Sequence, residues 1–516
     1  MDAGEPETVG FIDVGTNSIH VLVVRFYRGS VGTPVFQDKE PVRLGKSLYS
    51  SGSIDNATIM KSAMVLSRFV AIAKSMGAKD IIVYATCAAR EASNSDVLLR
   101  VLRKHADVQV ISGLEEARLI ALGVFGSSGP SKRTVVMDIG GGSTEVVLGD
   151  WKDTFYRDSL ALGTVRFAFG MGIDCAKKVS DKDYRNMCRS VESSSYHAVR
   201  SLRELGFEEA VGSSGTMINL AEMCAYRRGD MDSGYMTLSE LTDLMKSLRS
   251  VDAETRLGFP GMGKNRSDII IPGGAIAETL MRLLGINRIT ISRNGLKQGM
   301  LIDYVDSKGL SHYSTRDASV IALAERCHYD RQHAENVRSM ALSMYDQMTD
   351  EGTISMPDDM RSLLESACIL HDIGEFVSFE NHQIISQSII EWSNMPGFTI
   401  DEVRKMGIMV RLHHKKLPPM KDQVFSKIPK DEVPDVIKCA MLLRMADILD
   451  GHRTSLVSKV DITHDGKEVT LSIWSRTDPG MEIWRLEKMR SDFRKVFGCP
   501  LRAVWMHDAY GLTDQQ

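Results

Sequence analysis

The sequence predicts a duplicated α/β protein of two lobes, followed by an all-helical domain and a small α+β tail. Two apolar runs each end in an acid and a Gly-rich turn with hydroxyls, "IDVGTNS" at residues 12–18 and "MDIGGGSTE" at 137–145. Asp13 and Asp138 lie 125 positions apart (138 − 13), about one domain's length. Strand and helix signals alternate to about residue 310 and then give way to helical ones. The predicted domains are 1–125, 126–310, 311–455 and 456–516.

Length and composition narrow the class of protein. A chain of 516 residues is too long for one core. A net charge of −4 gives no general attraction to nucleic acid or anionic membranes. The eight cysteines form no CxxC pair, the N-terminus is acidic, and no run approaches the roughly 20 apolar residues of a membrane helix. These features predict a soluble, cytoplasmic protein without a nucleic-acid or membrane partner.

The predicted elements of the first lobe follow the chain in order. "VGFID" and "IHVLVVRFY" read as the arms of a hairpin around the first turn. Residues 58–76 have apolar positions at helical spacing, "DIIVYAT" and "VQVIS" read as strands, and "EEARLIALGVF" reads as a helix. The Gly/Ser/Pro-rich stretch 126–133 predicts a hinge or a domain boundary.

The pattern then restarts. "TVVMDI" and "EVVLGD" are predicted strands around the second turn, and strand "EAVGSS" with helix "TMINLAEMC" follows. "IPGGAIAETLMRLLG", "RITIS" and "LKQGMLIDYV" predict helix, strand and helix. Beyond about residue 312 the segments are helical to about 454, and the tail predicts strands "SLVSKVDIT" and "EVTLSIW" with a helix over about 481–497.

The two turns are candidate phosphate sites. Glycines let backbone N–H groups converge on an anion, and neighbouring hydroxyls and amides add donors. Asp13 and Asp138 cannot bind phosphate themselves but can hold Mg²⁺. A lone Asp-Gly is more often a plain hairpin turn, but two matched copies favour phosphate binding. The candidate phosphate ligands are Gly15, Thr16, Asn17, Ser18, Gly140, Gly141, Gly142, Ser143 and Thr144.

Chemistry on a bound phosphate would also need a group that orients the attacking nucleophile, and "ISGLEEARL" offers two acids. Ser112 and Glu115 have the spacing of a capping box, which would occupy Glu115 with backbone N–H groups. Glu116 is then the candidate base. Locally it could equally complement the helix dipole.

Five stretches carry a resemblance to a known family: "IDVGTNSIHVLVV", "GLEEARLIALGV", "VVMDIGGGSTEVVLG", "GSSGTMINL" and "IPGGAIAETLM". They resemble the exopolyphosphatase and guanosine pentaphosphate phosphatase family over about residues 9–307. The resemblance implies an actin/hexokinase/Hsp70-like (ribonuclease H-like) fold. It further implies Mg²⁺-dependent release of terminal phosphate from inorganic polyphosphate, with guanosine pentaphosphate as the alternative substrate, and a homodimer. Lys297 is a departure, because the family commonly has Arg near that position.

The resemblance also implies roles for single residues. It makes Glu116 the catalytic glutamate and Asp138 and Glu145 essential carboxylates, with Glu145 alternatively on a solvated strand face. Arg90 matches a phosphate-contacting residue, although a lone Arg is more often a surface charge. The later motif adds Ser214, Gly215 and Thr216 as phosphate ligands.

The helical segment resembles the HD metal-phosphohydrolase superfamily. The implied metal ligands are His333, His371, Asp372 and Asp447, and imidazole and carboxylate groups suit Mn²⁺, Fe²⁺, Mg²⁺ or Zn²⁺. A second metal position could be completed by His382, His413 and His414. The site could be catalytic or metal-binding only. Alternatively, the domain only lengthens a substrate channel and supports dimerisation.

The sequence is also compatible with two other functions and with a binding surface for long substrates. An ATP-dependent kinase or a non-enzymatic nucleotide switch could share the fold. The stretch 410–430 could be a basic track for long polyphosphate or simply a solvated loop. Its basic residues are Arg411, His413, His414, Lys415, Lys416, Lys421, Lys427 and Lys430.

Overall fold

The computed structural model of the protein describes residues 7–26, 32–126, 132–150, 153–230, 234–308, 315–357, 359–393, 395, 397–414, 417–420 and 422–508. It has two compact units. The first is Met1–Ser319 with Pro396–Thr399, and the second is Val320–Met395 with Ile400–Gln516. The acidic N-terminal residues 1–6, linker residues 127–131, the predicted boundary at 310/311, and Lys415, Lys416 and Lys421 lie outside the described residues.

The first lobe is a five-stranded sheet with helices. Its strands are β1 (Glu7–Val14), β2 (Ser18–Phe26), β3 (Thr33–Pro41), β4 (Ala78–Ala85) and β5 (Val108–Val110). The sheet order is β3-β2-β1-β4-β5, with β1, β2 and β3 antiparallel and β1, β4 and β5 parallel. Its helices are α1 (Leu44–Ser51), α2 (Asn56–Ser75), α3 (Cys87–Glu91), α4 (Ser95–Leu102) and α5 (Gly113–Phe125). The predicted hairpin and the predicted helix over 58–76 are confirmed.

The second lobe repeats this plan. Its strands are β6 (Thr134–Ile139), β7 (Thr144–Gly149), β8 (Thr154–Leu160), β9 (Glu209–Ser213), β10 (Tyr235–Thr237) and β11 (Arg288–Ile291). The order β8-β7-β6-β9-β11 matches that of the first sheet, and β10 adds an edge. Its helices are α6 (Thr164–Gly170), α7 (Asp181–Leu205), α8 (Ser214–Arg228), α9 (Leu238–Arg249), α10 (Ala253–Arg256), α11 (Ile270–Leu284) and α12 (Leu296–Lys308). The predicted duplication is therefore confirmed strand by strand.

The last helix of each lobe packs on the other lobe's sheet. The core of α5 with the second sheet contains Ala117, Ile120, Ala121, Phe125, Val136, Val147 and Val211. The core of α12 with the first sheet contains Met300, Leu301, Tyr304, Val305, Val9, Phe11, Leu22 and Val24. The helices touch through backbone, because a side chain on Gly299 would clash with the carbonyl of Leu119. A boundary drawn along the chain at 126 therefore separates α5 and α12 from sheets on which they pack.

The second unit is helical and ends in a small sheet. Its helices begin with α13 (Thr315–Arg326), which straddles the division, and continue with α14 (Arg331–Asp350), α15 (Asp359–Leu370), α16 (His382–Trp392), α17 (Ile400–Leu412) and α18 (Val433–Leu449). The tail comprises β12 (Val457–His464), β13 (Val469–Ser475), α19 (Gly480–Lys488), α20 (Arg490–Phe497) and β14 (Leu501–His507). The predicted single helix over 481–497 is two helices, and β14, parallel to β13, was not predicted. Within the described chain, no helix is both long and apolar enough to cross a membrane.

Candidate active site

The two Gly-rich turns have the same hydrogen bonds. The N–H of Gly15 donates to the carbonyl of Ser18 at 3.1 Å, and that of Gly140 donates to Ser143 at 3.0 Å. The carbonyl of Thr16 accepts from the N–H of Gly45, in the first turn of α1. Correspondingly, the carbonyl of Gly141 accepts from the N–H groups of Val165 and Arg166, in the first turn of α6. Each of these carbonyl oxygens already accepts a hydrogen bond from a backbone N–H group. None of them therefore needs a donor that a bound anion would use.

The turns of the two lobes also touch each other. A Cβ on Gly141 would lie 3.2 Å from the Cβ of Thr16. A Cβ on Gly142 would lie 2.6 Å from Tyr49 Oη, 2.7 Å from Cys87 Sγ and 2.7 Å from Thr16 Oγ1. Gly142 is therefore seated in a socket of the first lobe that admits no side chain.

Substituting this glycine gives the first testable prediction. We expect Gly142→Ala to lower turnover at this site about tenfold or more, because the new methyl group overpacks the socket and separates the two turns. Gly140→Ala is the matched control, since its Cβ would approach only the carbonyl of Ser143, at 3.1 Å. Steady-state kinetics would measure both variants. Equal losses would show that the socket is not the reason for the glycine.

Several buried oxygens in this region have no protein partner. Among the described residues they include Asp13 Oδ1, Thr16 Oγ1 and Asn17 Oδ1. A buried polar atom without a hydrogen bond is costly, so these atoms fit a bound ligand or ion. Thr144 is different. Its hydroxyl donates to the carbonyl of Leu162 at 2.7 Å, and its role as a phosphate ligand stays a prediction.

Three carboxylates are buried close together. Asp138 is at the end of β6, Glu145 is on β7, and Glu116 is in the first turn of α5. Burial raises the pKa of Asp138 to about 6. Burial and the charges of Glu116 and Asp138 raise the pKa of Glu145 well above its usual range. The solvated-face alternative for Glu145 is wrong, because the residue is 1% exposed and accepts a hydrogen bond from Ser159 at 2.7 Å.

Asp13, near the end of β1 in the first lobe, is the fourth carboxylate of this cluster. Burial, followed by the charge of Glu116, raises the pKa of Asp13 to about 7, although Lys297 opposes the shift. Four neighbouring carboxylates in a buried site would be stabilised by a cation. Their hard oxygen ligands suit Mg²⁺.

Glu116 is held by Arg90, and Glu115 is not part of the cluster. Arg90 Nη1 donates to Glu116 Oε2 at 2.8 Å and to the carbonyl of Ile111 at 2.9 Å. Burial still raises the pKa of Glu116 despite this ion pair. The N–H of Glu115 donates to Ser112 Oγ, but its carboxylate is bound by Arg118 at 2.7 Å. Only the Ser112 half of the predicted capping box is therefore formed. Glu115 still pairs with other groups than Glu116 does, as the sequence predicted.

A group of basic residues beside the carboxylates was missed. Burial, followed by the charges of Lys297, Lys39 and Arg266, lowers the pKa of His20 to about 3, so these cations surround the imidazole. Arg266 packs on the later motif, where a side chain on Gly215 would clash with its guanidinium. Only Lys297 had a sequence signal, because Arg266 stands in "KNRSD" without a motif.

The later motif itself is shaped by backbone geometry. Ser214 has a positive φ of 80°, and its hydroxyl donates to the carbonyl of Ile139 at 2.8 Å. Thr216 Oγ1 accepts from Arg266 Nη1 at 3.5 Å. Ser213, which was not predicted, donates to Asp138 Oδ2 at 2.5 Å. The motif therefore bonds to Asp138 through Ser213 and contacts Arg266 through Gly215 and Thr216.

The second unit contains a separate cluster in which four histidines have their Nδ1 atoms engaged. Nδ1 of His371, His382 and His413 each lies 2.5–3.0 Å from the carbonyl three residues earlier. His333 Nδ1 lies 2.8 Å from Asp450 Oδ2. A donor at Nδ1 leaves the Nε2 lone pair free for a metal, and such partners usually fix metal-binding histidines. Asp450 is a supporting residue that the sequence analysis missed.

The Nε2 atoms converge on Asp372. Its Oδ1 lies 3.2 Å from His382 Nε2 and 3.5 Å from His413 Nε2, and its Oδ2 lies 3.4 Å from His371 Nε2. Two groups of possible metal ligands share this carboxylate: His333, His371 and Asp372, and Asp372, His382 and His413. Asp447 Oδ1 lies 3.6 Å from His333 Nε2. The predicted ligands are thus brought together, whereas His414 is exposed beside His382.

The electrostatics of this cluster also fit a cation. Burial opposes ionisation of Asp372, but His371, His382 and His413 outweigh it and hold its pKa well below the usual range. Burial likewise opposes the charge on His333, but hydrogen bonds to Asp447 and Asp450 raise its pKa to about 9. Arg453 additionally donates to Asp372 Oδ2 at 2.8 Å. Carboxylates that favour a protonated imidazole would also favour a divalent ion.

The described part of the stretch 410–430 does not form a free basic surface. His413 is 1% exposed within the histidine cluster. Arg411 donates to Gln387 at 2.9 Å, and Lys427 pairs with Glu391 at 3.2 Å. His414 and Lys430 are exposed. The hypothesis of a polyphosphate track over these residues is therefore weakened.

Both units of the chain are similar to known proteins. Residues 22–308 match a family model described as the Ppx/GppA phosphatase family, and residues 315–482 match one described as Ppx/GppA phosphatase, domain III. A Vibrio parahaemolyticus protein named guanosine-5'-triphosphate,3'-diphosphate pyrophosphatase is 28% identical over 483 residues, 92% of this chain and 94% of its own. A Vibrio campbellii protein of the same name is 27% identical over 508 residues, 97% of this chain and 99% of its own. The crystal structure of an exopolyphosphatase from Cytophaga hutchinsonii has a TM-score of 0.53 and 26% identity, and covers 59% of this chain and 100% of that chain.

Proposed function

The chain belongs to the Ppx/GppA phosphatase family of phosphoanhydride hydrolases, and on that premise we propose that its first unit releases the terminal phosphate of inorganic polyphosphate. The observation that carries the proposal is the buried carboxylate cluster of Asp13, Glu116, Asp138 and Glu145 beside the two touching turns. The proposal is supported because the candidate base and the candidate metal and phosphate ligands belong to one two-lobed unit.

Each part has a chemical role in the proposed reaction. Glu116 orients the attacking water and accepts its proton, and Arg90 fixes the carboxylate through its hydrogen bond to Oε2. Asp13, Asp138 and Glu145 would hold Mg²⁺, which supplies positive charge against the phosphate oxygens when it is bound. Lys39, Lys297 and Arg266 contact the next phosphates of the chain, and His20 stays neutral among them.

Guanosine pentaphosphate is the second candidate substrate. The relatives that cover 92% and 97% of this chain are named for a guanosine substrate, and the match includes the second unit. Both substrates end in a phosphoanhydride chain, so the same cluster would serve both. Hydrolysis without ATP or an acceptor substrate would separate the protein from a kinase or a nucleotide switch of the same fold.

The test is phosphate release from long-chain polyphosphate and guanosine pentaphosphate, measured side by side with Mg²⁺. We expect turnover of polyphosphate to have the higher kcat/KM. A higher kcat/KM for guanosine pentaphosphate would assign the second candidate instead. Release from neither would contradict the proposed function. A cytoplasmic location and a homodimer stay predictions.

For the second unit we propose a centre for two divalent metal ions, which His333, His371, His382, His413 and Asp372 would hold, with Asp372 belonging to both ligand groups. The support is the convergence of four Nε2 atoms whose Nδ1 partners are already in place. Nitrogen and oxygen ligands together favour Mn²⁺, Fe²⁺ or Zn²⁺ over Mg²⁺, which prefers oxygen ligands.

Metal content tests this arrangement. We expect about two metal ions per chain in the wild-type protein, none in Asp372→Asn, and one in His382→Ala, because Asp372 belongs to both groups and His382 to one. His452→Ala is the control, since His452 pairs with Glu482, outside both groups. Elemental analysis after purification without chelators gives the counts. A metal-free wild-type protein that also fails to bind added Mn²⁺ or Zn²⁺ would contradict the proposal.

A further inference from the structure

We propose that the ion pair between Arg166 and Glu91 is a positioning device that couples the second Gly-rich turn to the Glu116 carboxylate through helix α3. The inference rests on the proposed function of the first unit. It assigns to two residues outside the carboxylate cluster a role in fixing the geometry of the reaction.

Arg166 holds the second turn from outside. Arg166 lies in the first turn of α6, and its Nε donates to the carbonyl of Gly142 at 2.7 Å. The same guanidinium reaches the other lobe, where its Nη2 donates to Glu91 Oε1 at 2.6 Å and Oε2 at 2.8 Å. The ring of Tyr49 lies 4.6 Å from its central carbon. A planar fork with this many partners fixes direction as well as distance.

Helix α3 carries the connection to the candidate base. The helix has only five residues, Cys87–Glu91, so Arg90 and Glu91 move together with its backbone. Arg90 binds the Glu116 carboxylate at 2.8 Å, and Glu91 binds Arg166. A continuous chain of contacts therefore runs from Gly142 through Arg166, Glu91 and Arg90 to Glu116.

A role in stability is a poor explanation for this pair. The Glu91 side chain is 38% exposed, and exposed ion pairs contribute little to folding. Small errors in the placement of reacting groups, by contrast, cost large factors in rate. The pair is thus placed where it affects geometry more than folding.

A second ion pair between the lobes supplies the control. Arg43 Nη1 binds Asp268 Oδ2 at 2.7 Å, also between the first and second lobes. Arg43 also lies at the start of a helix that follows a Gly-rich turn, since it directly precedes α1 and its N–H donates to the carbonyl of Asn17. However, neither side chain of this pair bonds to a Gly-rich turn or to a residue that holds Glu116 in the described structure. If the ion pairs only hold the lobes together, the two pairs should behave alike.

The experiment is a double-mutant cycle of Glu91→Gln and Arg166→Met, read on whichever substrate the wild-type protein hydrolyses. We expect each single variant to lower kcat about tenfold and the double variant to lose no more than the worse single one, because both break the same chain of contacts. KM should change little in Glu91→Gln and rise in Arg166→Met, which also frees the Gly142 carbonyl. Asp268→Asn should lower kcat less than about twofold, and its effect should add to that of Glu91→Gln. Thermal unfolding should be nearly unchanged in all variants.

Three outcomes would overturn the proposal: additive losses in the Glu91 and Arg166 variants, an equal loss in Asp268→Asn, or a kcat loss that follows a fall in thermal stability. Hydrogen exchange of residues 87–91 gives a readout that does not depend on turnover. It should accelerate in Glu91→Gln and Arg166→Met and not in Asp268→Asn. If the wild-type protein hydrolyses neither substrate, the proposed function fails, and the exchange rates alone decide whether α3 is held in this way.

Discussion

Glu116→Gln is expected to lower kcat by about 10²- to 10⁴-fold, because the amide cannot accept the proton of the attacking water. The substitution keeps the size of a side chain that is 8% exposed. Arg90 can still donate to the amide oxygen, so fold and substrate affinity should be kept. Steady-state kinetics and thermal unfolding of the purified variant would measure both effects.

Glu115→Gln is the matched control one residue away. Its carboxylate faces Arg118 rather than the buried cluster, so its loss should change kcat less than about twofold. Full turnover in Glu116→Gln together with inactivity in Glu115→Gln would show that the two roles have been assigned to the wrong residues.

Asp138→Asn is expected to abolish most activity and at the same time to stabilise the metal-free protein at high pH. The pKa of Asp138 is raised from 3.8 to about 6 by burial. A carboxyl group whose pKa is higher in the folded protein than in the unfolded chain contributes its full stability below the unfolded-state pKa. This contribution to the free energy of unfolding is lost as the pH rises through the folded-state pKa. Above pH 7 the ionised carboxylate therefore costs about 3 kcal/mol, because one pKa unit corresponds to about 1.4 kcal/mol.

Thermal unfolding at pH 4 and pH 8, with and without Mg²⁺, checks this sign. Without metal, the variant should unfold at a higher temperature than the wild-type protein at pH 8, and the difference should shrink towards pH 4. Mg²⁺ should stabilise the wild-type protein more than the variant, and any residual activity of the variant should need more Mg²⁺. Asp96→Asn, on an exposed helix pair with Arg100, should change none of these quantities. A variant that is less stable than wild type at pH 8 without metal would contradict burial as the cause of the shift.

The features that the sequence predicted well are those encoded within a few neighbouring residues. An apolar strand, an acid and a run of glycines specify each turn locally, so Asp13 and Asp138 could be identified before their surroundings were known. The histidines of the second unit were identified as an ordered set of ligand-type residues in a helical segment. His333 lies within α14, whereas His371 and His413 lie just beyond the last residues of α15 and α17. Glu116 was chosen over Glu115 as the candidate base because of a predicted capping box, of which only the hydrogen bond from the Glu115 N–H to Ser112 is formed.

The features that escaped prediction depend on contacts between distant parts of the chain. Arg266 and Lys39 lie in unremarkable polar segments, and only the fold brings them to His20. Thr144 was predicted as a phosphate ligand because the motif ends in hydroxyls, but the sequence did not show that its hydroxyl donates to the carbonyl of Leu162. The crossing of α5 and α12 could not be read from periodicity, because an amphipathic pattern shows that a helix has a buried face and not which sheet covers it.

The exchange of the two last helices has a consequence for synthesis on the ribosome. One face of the first sheet, with Val9, Phe11 and Leu22, is covered by residues as late as Val305. From residue 126 to residue 305 the ribosome adds about 180 residues, which takes roughly 10–40 s at 5–20 residues per second. For that interval this face of the first sheet has Ile111 and Leu119 of its own lobe beside it but lacks Met300, Leu301, Tyr304 and Val305 of α12. The growing chain is therefore expected to be a client of ribosome-associated chaperones until α12 emerges, and to aggregate if synthesis stops between the two lobes.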